Sequence, residues 1–140
     1  METALKQNYS STNLGKTFFS QNAALGVQYN PDKNSVYVQI GRKDQENWIW
    51  IRAKMKDTEL GDILRVLRGK VENVSFYHKY NGKETKIWVN RKDDTVFFKI
   101  EEFSEALNSG EQEVLILLLE EMILLNLQSG LTLKNNVFDK

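Results

Sequence analysis

Residues 48–56 read WIWIRAKMK, and the alternation in that stretch decides the fold. Successive side chains of a strand point to opposite faces, so residues two apart share one. Ile49, Ile51, Ala53 and Met55 form an apolar face, while Trp48, Trp50, Arg52, Lys54 and Lys56 form the other. Upstream, residues 35–43 read the same way, with Val36, Val38 and Ile40 inward and Tyr37 and Gln39 outward. Residues 24–30 form a further strand, and Thr17-Phe18-Phe19 has the composition to start a short one. The turn Asn30-Pro31-Asp32-Lys33-Asn34 is well specified, because Pro presets φ and Asn and Asp bond their own backbone. A polar turn over 44–47 follows. Asp57 is placed to cap a helix over 58–68, with Leu60, Ile63, Leu64 and Leu67 on one face and Gly69 at its end.

The pattern then recurs. Residues 74–80 and 85–92 are strands around Asn81-Gly82, the strongest short hairpin signal in the chain. Asp93-Asp94 turns into a strand over 95–100. Val74, Phe76, Ile87, Val89, Val96, Phe98 and Ile100 face inward; Ser75, Tyr77, Lys79, Lys86, Trp88, Asn90, Phe97 and Lys99 face outward. Ser109-Gly110-Glu111-Gln112 fits a capping box and opens a helix to about residue 128, with Gly130 as its stop. The expected fold is α+β: antiparallel sheet or sheets in a strands–helix–strands–helix pseudo-repeat, helices on one face. Residues 1–22 are expected to be a flexible N-terminal segment, 23–130 the domain, and 131–140 a C-terminal tail.

Composition narrows the chemistry. A chain of 140 residues with 41% hydrophobic and 27% charged side chains supports one domain with a real core. Without Cys there is no thiol nucleophile or thiolate metal site, and one His excludes a His-rich cluster. No apolar run reaches the roughly 18 residues of a membrane span, and METALKQNYSSTNLGK lacks the apolar core of a secretory signal. The expectation is an intracellular protein, in cytoplasm or nucleoid or encoded by a virus and acting in its host, with no membrane partner. Net charge is zero, but residues 33–100 carry 15 basic and nine acidic side chains, and 101–140 carry two and eight. A basic middle and an acidic end coexist.

Tyr37, Trp48, Trp50, Tyr77, Trp88 and Phe97 share their parity with Arg52, Lys54, Lys79, Lys86 and Lys99. All three tryptophans therefore fall on the face the helices do not cover. A solvated sheet face normally has few large rings and both charge signs. Rings for unstacked bases and cations for phosphates suit single-stranded nucleic acid. Packing a second sheet or subunit over these rings is the alternative, and it would bury Arg52 and several lysines at a cost.

Residues 114–127 read VLILLLEEMILLNL, apolar nearly all round. One stripe (Val114, Leu117, Leu118, Met122, Leu125) suffices for the domain core. Ile116, Leu119, Ile123 and Leu127 are left for an oligomer interface.

The layout resembles the Whirly family of single-stranded-DNA-binding proteins. Thr58-Glu59-Leu60-Gly61-Asp62-Ile63-Leu64 resembles the family's first helix, and Ser75-Phe76-Tyr77-His78-Lys79-Tyr80-Asn81-Gly82-Lys83 its following hairpin. Residues 110–127 resemble its oligomerising helix. Ala23-Ala24-Leu25 matches the end of the family's Lys-Gly-Lys-Ala-Ala-Leu motif, with Ser20-Gln21-Asn22 in place of the part that carries both lysines. The superfamily includes transcription coactivators of the positive-cofactor type and kinetoplastid mitochondrial RNA-binding proteins. The resemblance thus implies single-stranded nucleic acid more firmly than DNA over RNA, with assembly as a dimer or tetramer.

Two rivals remain. For an enzyme there is no P-loop, dinucleotide fingerprint, nucleophile elbow or metal-spaced cluster. Asp93-Asp94 and Glu101-Glu102 are adjacent residues, which point apart in a strand, and His78 has the parity of a structural residue on the helix side. No catalytic residue, metal or cofactor is expected. A protein-interaction module is the other rival, since Tyr, Trp and Arg also enrich protein hot spots. The reading is a protein that binds single-stranded DNA with little sequence preference, in DNA metabolism or transcription regulation. Single-stranded RNA and a protein partner are its alternatives.

Overall fold

A computed structural model describes residues 13–138, with side chains through residue 128. Its order is β1 (Gly15–Phe19), β2 (Ala23–Asn30), β3 (Ser35–Asp44), β4 (Asn47–Met55), α1 (Asp57–Leu67), β5 (Asn73–Tyr80), β6 (Lys83–Lys92), β7 (Thr95–Ile100), β8 (Phe103–Leu107) and α2 (Ser109–Phe138). Two four-stranded antiparallel sheets result, β1-β2-β3-β4 and β5-β6-β7-β8. The α+β order and the helix-covered face are as expected. Because α1 separates β4 from β5, each becomes an edge strand of its own sheet.

The register aligns the apolar rows. Leu25, Ile40 and Ile51 pair across the first sheet, as do Val27, Val38 and Ala53. In the second sheet Phe76, Ile87, Ile100 and Phe103 form one row, and Val74, Val89 and Phe98 another. These inner faces, with Leu60, Ile63, Leu64, Val66 and Leu67 of α1 and Leu115, Leu119 and Met122 of α2, form one core. No helix of the described residues is long and apolar enough to cross a membrane.

Several local expectations are corrected. Part of the segment expected to be flexible is β1, paired to β2 with Phe18 buried against the core. Residues 1–12 of that segment lie outside the described residues. The strand β8 was not anticipated. Its Glu105 points inward, 9% exposed, and accepts the Ala106 N–H at 2.9 Å. An inward charge on an edge strand discourages pairing with other chains. Asp57 is the first helical residue rather than the cap: Lys56 holds the N-cap conformation, and Glu59 accepts its backbone N–H at 2.8 Å.

At α2 the capping box is shifted by one residue. Asn108 accepts the Glu111 N–H at 2.9 Å, and Glu111 accepts the Asn108 N–H at 3.0 Å. Gly130 does not stop this helix, which runs to Phe138 through the expected tail, with residues 139–140 outside the described set. An interior glycine costs only about 1 kcal/mol against Ala, which a helix of this length tolerates. Gly69 does end α1. At φ 72° it donates to the Val66 carbonyl, and Lys70 donates to the Arg65 carbonyl, closing a Schellman motif.

The phase of α2 also differs. Leu119 is 1% exposed in the core, so it cannot form an oligomer interface, and Ile116 and Ile123 are half-buried against the core. Val114 and Leu117, expected inside, are exposed, and Leu117 reaches 68%. Among the described side chains of α2, the exposed apolar positions are Val114, Leu117, Leu124 and Leu127. Two polar residues fix this rotation. Gln112 is buried and donates to the Asp94 and Leu107 carbonyls, and Asn126 donates to the Asn34 carbonyl at 2.9 Å. Buried polar groups must find partners, so the face that offers them turns inward.

Candidate nucleic-acid interface

The parity expected for the aromatic residues holds, but their gathering on one face does not. Trp48 and Trp50 lie on the outer face of the first sheet and Trp88 on that of the second, so the chain carries two aromatic faces. Parity specifies a side within a sheet, and the helix crossover splits the sheet.

On the first sheet the row Phe19–Ala24–Gly41–Trp50 runs across all four strands. Two small residues in the middle leave a trough that the rings fill. A Cβ on Gly41 would fall 2.7 Å from a Trp50 ring carbon, so the indole lies directly on the glycine. Trp48 stacks on Trp50 at 5.7 Å between centroids with 25° between planes, and meets Phe19 edge-on at 5.7 Å. Such pairs reinforce one another through their quadrupoles. Phe19, 62% exposed, belongs to this platform, and the alternation in Thr17-Phe18-Phe19 is its only signal in the sequence. Beside the platform, Arg52 stands over Tyr37 at 4.2 Å, and Lys54 is in register with Tyr37. Both cations are exposed.

Gly41→Ala is expected to push the Trp50 ring off the sheet. Overpacking costs about 1–3 kcal/mol, toward the low end here because the ring's far side meets solvent. The near-ultraviolet circular dichroism of the indoles should change while the far-ultraviolet signal stays. Unchanged near-ultraviolet bands would contradict the contact.

On the second sheet Ser75 pairs with Trp88 and Tyr77 with Lys86. Ser75, Phe76, Tyr77, Lys86 and Trp88 line an open cleft of ≈ 260 Å³. That is below the roughly 300–1,000 Å³ of enclosed small-molecule pockets. Lys86 stands 5.7 Å from the Tyr77 ring centroid and Lys99 5.2 Å from that of Trp88. Phe97 is exposed on the same face. Lys79 is exposed as well, and Glu84 answers part of its charge at 3.7 Å.

Among the described residues the ion pairs are Arg68–Glu120, His78–Glu59 and Lys79–Glu84. Arg52, Lys54, Lys86 and Lys99 therefore have no carboxylate partner there. His78 bonds Glu59 at 2.7 Å and ties β5 to α1, a structural use. Arg91 also turns inward: its Nε donates to the Val66 carbonyl at 3.0 Å, and Nη2 donates to the Leu67 carbonyl at 2.6 Å and to Gln112 at 2.9 Å. Both carboxylate pairs lie on turns rather than strands, with Asp93 at φ 56° and Glu101 at φ 52°. Among the described residues no three His, Asp or Glu side chains are placed to hold a metal ion.

No protein-family model and no curated protein sequence matches the chain. Solved structures do. The plant transcriptional regulator PBF-2 is similar with TM-score 0.62 and 14% identity, over 86% of this chain and 94% of that one. MRP1/MRP2 of Trypanosoma brucei are similar with TM-score 0.62 and 12% identity, over 94% and 97%. WHY1 from Arabidopsis thaliana is similar with TM-score 0.60 and 15% identity, over 80% and 89%. The fold implied by the Whirly resemblance is the fold found.

Proposed function

We propose that this chain binds single-stranded nucleic acid on the outer faces of its two sheets. DNA is the preferred ligand, taken with little sequence preference, in DNA metabolism or transcription regulation. Bases stack on Trp48, Trp50, Tyr77 and Trp88, while Arg52, Lys54, Lys79 and Lys86 hold the backbone. One observation carries the reading: on both faces cations stand over rings (Arg52 on the first, Lys86 and Lys99 on the second) with no carboxylate partner among the described residues. Such cations keep their charge available for phosphate, and the rings beside them offer π-faces to unpaired bases. The likeness to a plant transcriptional regulator supports the same class.

The exposed stripe Val114, Leu117, Leu124 and Leu127 supports self-association as a dimer or tetramer, in place of the quartet expected from sequence.

Salt separates this reading from a protein-interaction module. Binding of oligothymidine should weaken steeply with added salt, and Lys86→Gln should lower the slope of log K against log salt by roughly one unit. A slope near zero would favour a protein partner on these faces, and a steep slope that Lys86→Gln leaves unchanged would remove Lys86 from the backbone contacts. Oligouridine titrated in parallel decides between DNA and RNA.

A further inference from the structure

The β5–β6 hairpin reaches beyond the core. Every residue from Lys79 through Glu84 is exposed, whereas Ile87 is 1% exposed. The projecting end is nevertheless well defined. Asn81 at φ 51° and Gly82 at φ 76° form the two-residue turn whose twist matches a hairpin. Lys79 and Glu84 pair across it, and His78 anchors its base to α1 through Glu59.

At the end of this finger is Tyr80, 78% exposed, more than any other exposed large hydrophobic side chain among the described residues. It takes part in none of the ring–ring or cation–ring contacts found there. At that exposure the ring has little packing role within the described residues. Lys83 is its cross-strand partner and Lys79 its chain neighbour, so cations lie on both sides of the finger. The Tyr77–Lys86–Trp88 cleft begins three residues back along β5, about 10 Å at the rise of a strand.

We propose that Tyr80 is a further base-stacking point, taking an unpaired nucleotide further along the strand than the one held in the cleft. Tyr77 and Tyr80 have opposite parity, so the strand wraps the finger, with a base on each side and Lys83 on the phosphate that crosses the tip. This rests on the nucleic-acid reading above and adds residues to it.

A length series of oligothymidines tests it, with tryptophan fluorescence as the readout, since Tyr80→Ala removes no tryptophan. Short oligomers that fill only the cleft should bind wild type and Tyr80→Ala equally. Long oligomers should bind Tyr80→Ala about 5- to 150-fold more weakly, the effect of one base–aromatic stack. Tyr80→Phe should restore the loss. Wild-type binding at all lengths with an unaltered Tyr80→Ala curve overturns the tip assignment alone. A Tyr80→Ala effect on subunit assembly by sedimentation, with binding per subunit unchanged, overturns it too and makes the tip a protein contact. Wild-type protein that binds no oligomer of any length overturns the reading beneath.

Discussion

Trp88→Ala should weaken binding of single-stranded oligothymidine by about 1–3 kcal/mol, or roughly 5- to 150-fold, without unfolding the protein. Trp88 lies in the cleft wall of the second sheet, in register with Ser75 and within 5.2 Å of the Lys99 ammonium. Its ring is on the outer face, partly buried there but outside the core cluster, so truncation leaves the core in place. The neighbours on its own strand, Ile87 and Val89, carry the inner face and stay in place. Loss of a stacking surface should therefore appear in affinity and not in the denaturation midpoint. A Trp88→Ala variant that binds like wild type would remove the second sheet from the interface and leave the Trp48–Trp50 platform alone.

Arg91→Met should behave in the opposite way, with a large loss of stability and little change in affinity per folded molecule. The guanidinium joins three elements: it caps the last carbonyls of α1 at Val66 and Leu67, and it bonds the buried Gln112 of α2. Removing it leaves acceptors without donors in a half-buried place, which costs about 2–4 kcal/mol. It also deletes a cation from the negative end of the α1 dipole. Chemical denaturation should show a lower midpoint with an unchanged m-value. Arg91→Lys keeps the charge but not the planar fork, and should recover only part of the loss. A change below about 0.5 kcal/mol, the range of an ordinary surface substitution, would show that these bonds are not what joins α1 to α2.

The two substitutions separate what local pattern carries from what it does not. Strand parity depends only on neighbours two apart, so the inward row Val36–Val38–Ile40 and the outward Tyr37 were legible from the sequence. So was the Asn81-Gly82 hairpin, whose turn geometry is local. Which strands pair across a helix is not local, and the single aromatic face expected from parity became two. Helix phase failed for a related reason. A helix apolar all round has no strong periodicity to orient it, and α2 is oriented by Gln112 and Asn126 reaching partners far off in sequence, Arg91 and Asn34. Arg91 itself stands in the sequence as one more cation of the basic middle, because nothing in its own stretch reveals that α1 ends above it. Strand β8 was missed because Glu105 breaks the apolar alternation at an inward position.

Titrating the protein with a short oligothymidine at two salt concentrations, while following tryptophan fluorescence, is the most direct test of the nucleic-acid reading. All three tryptophans lie on the two proposed faces, so the signal reports on the interface itself. Expected is strong quenching by the single strand, weakened by salt and absent with duplex DNA. No quenching and no binding by either DNA or oligouridine would contradict it, and the ring–cation faces would then be surfaces for a protein partner.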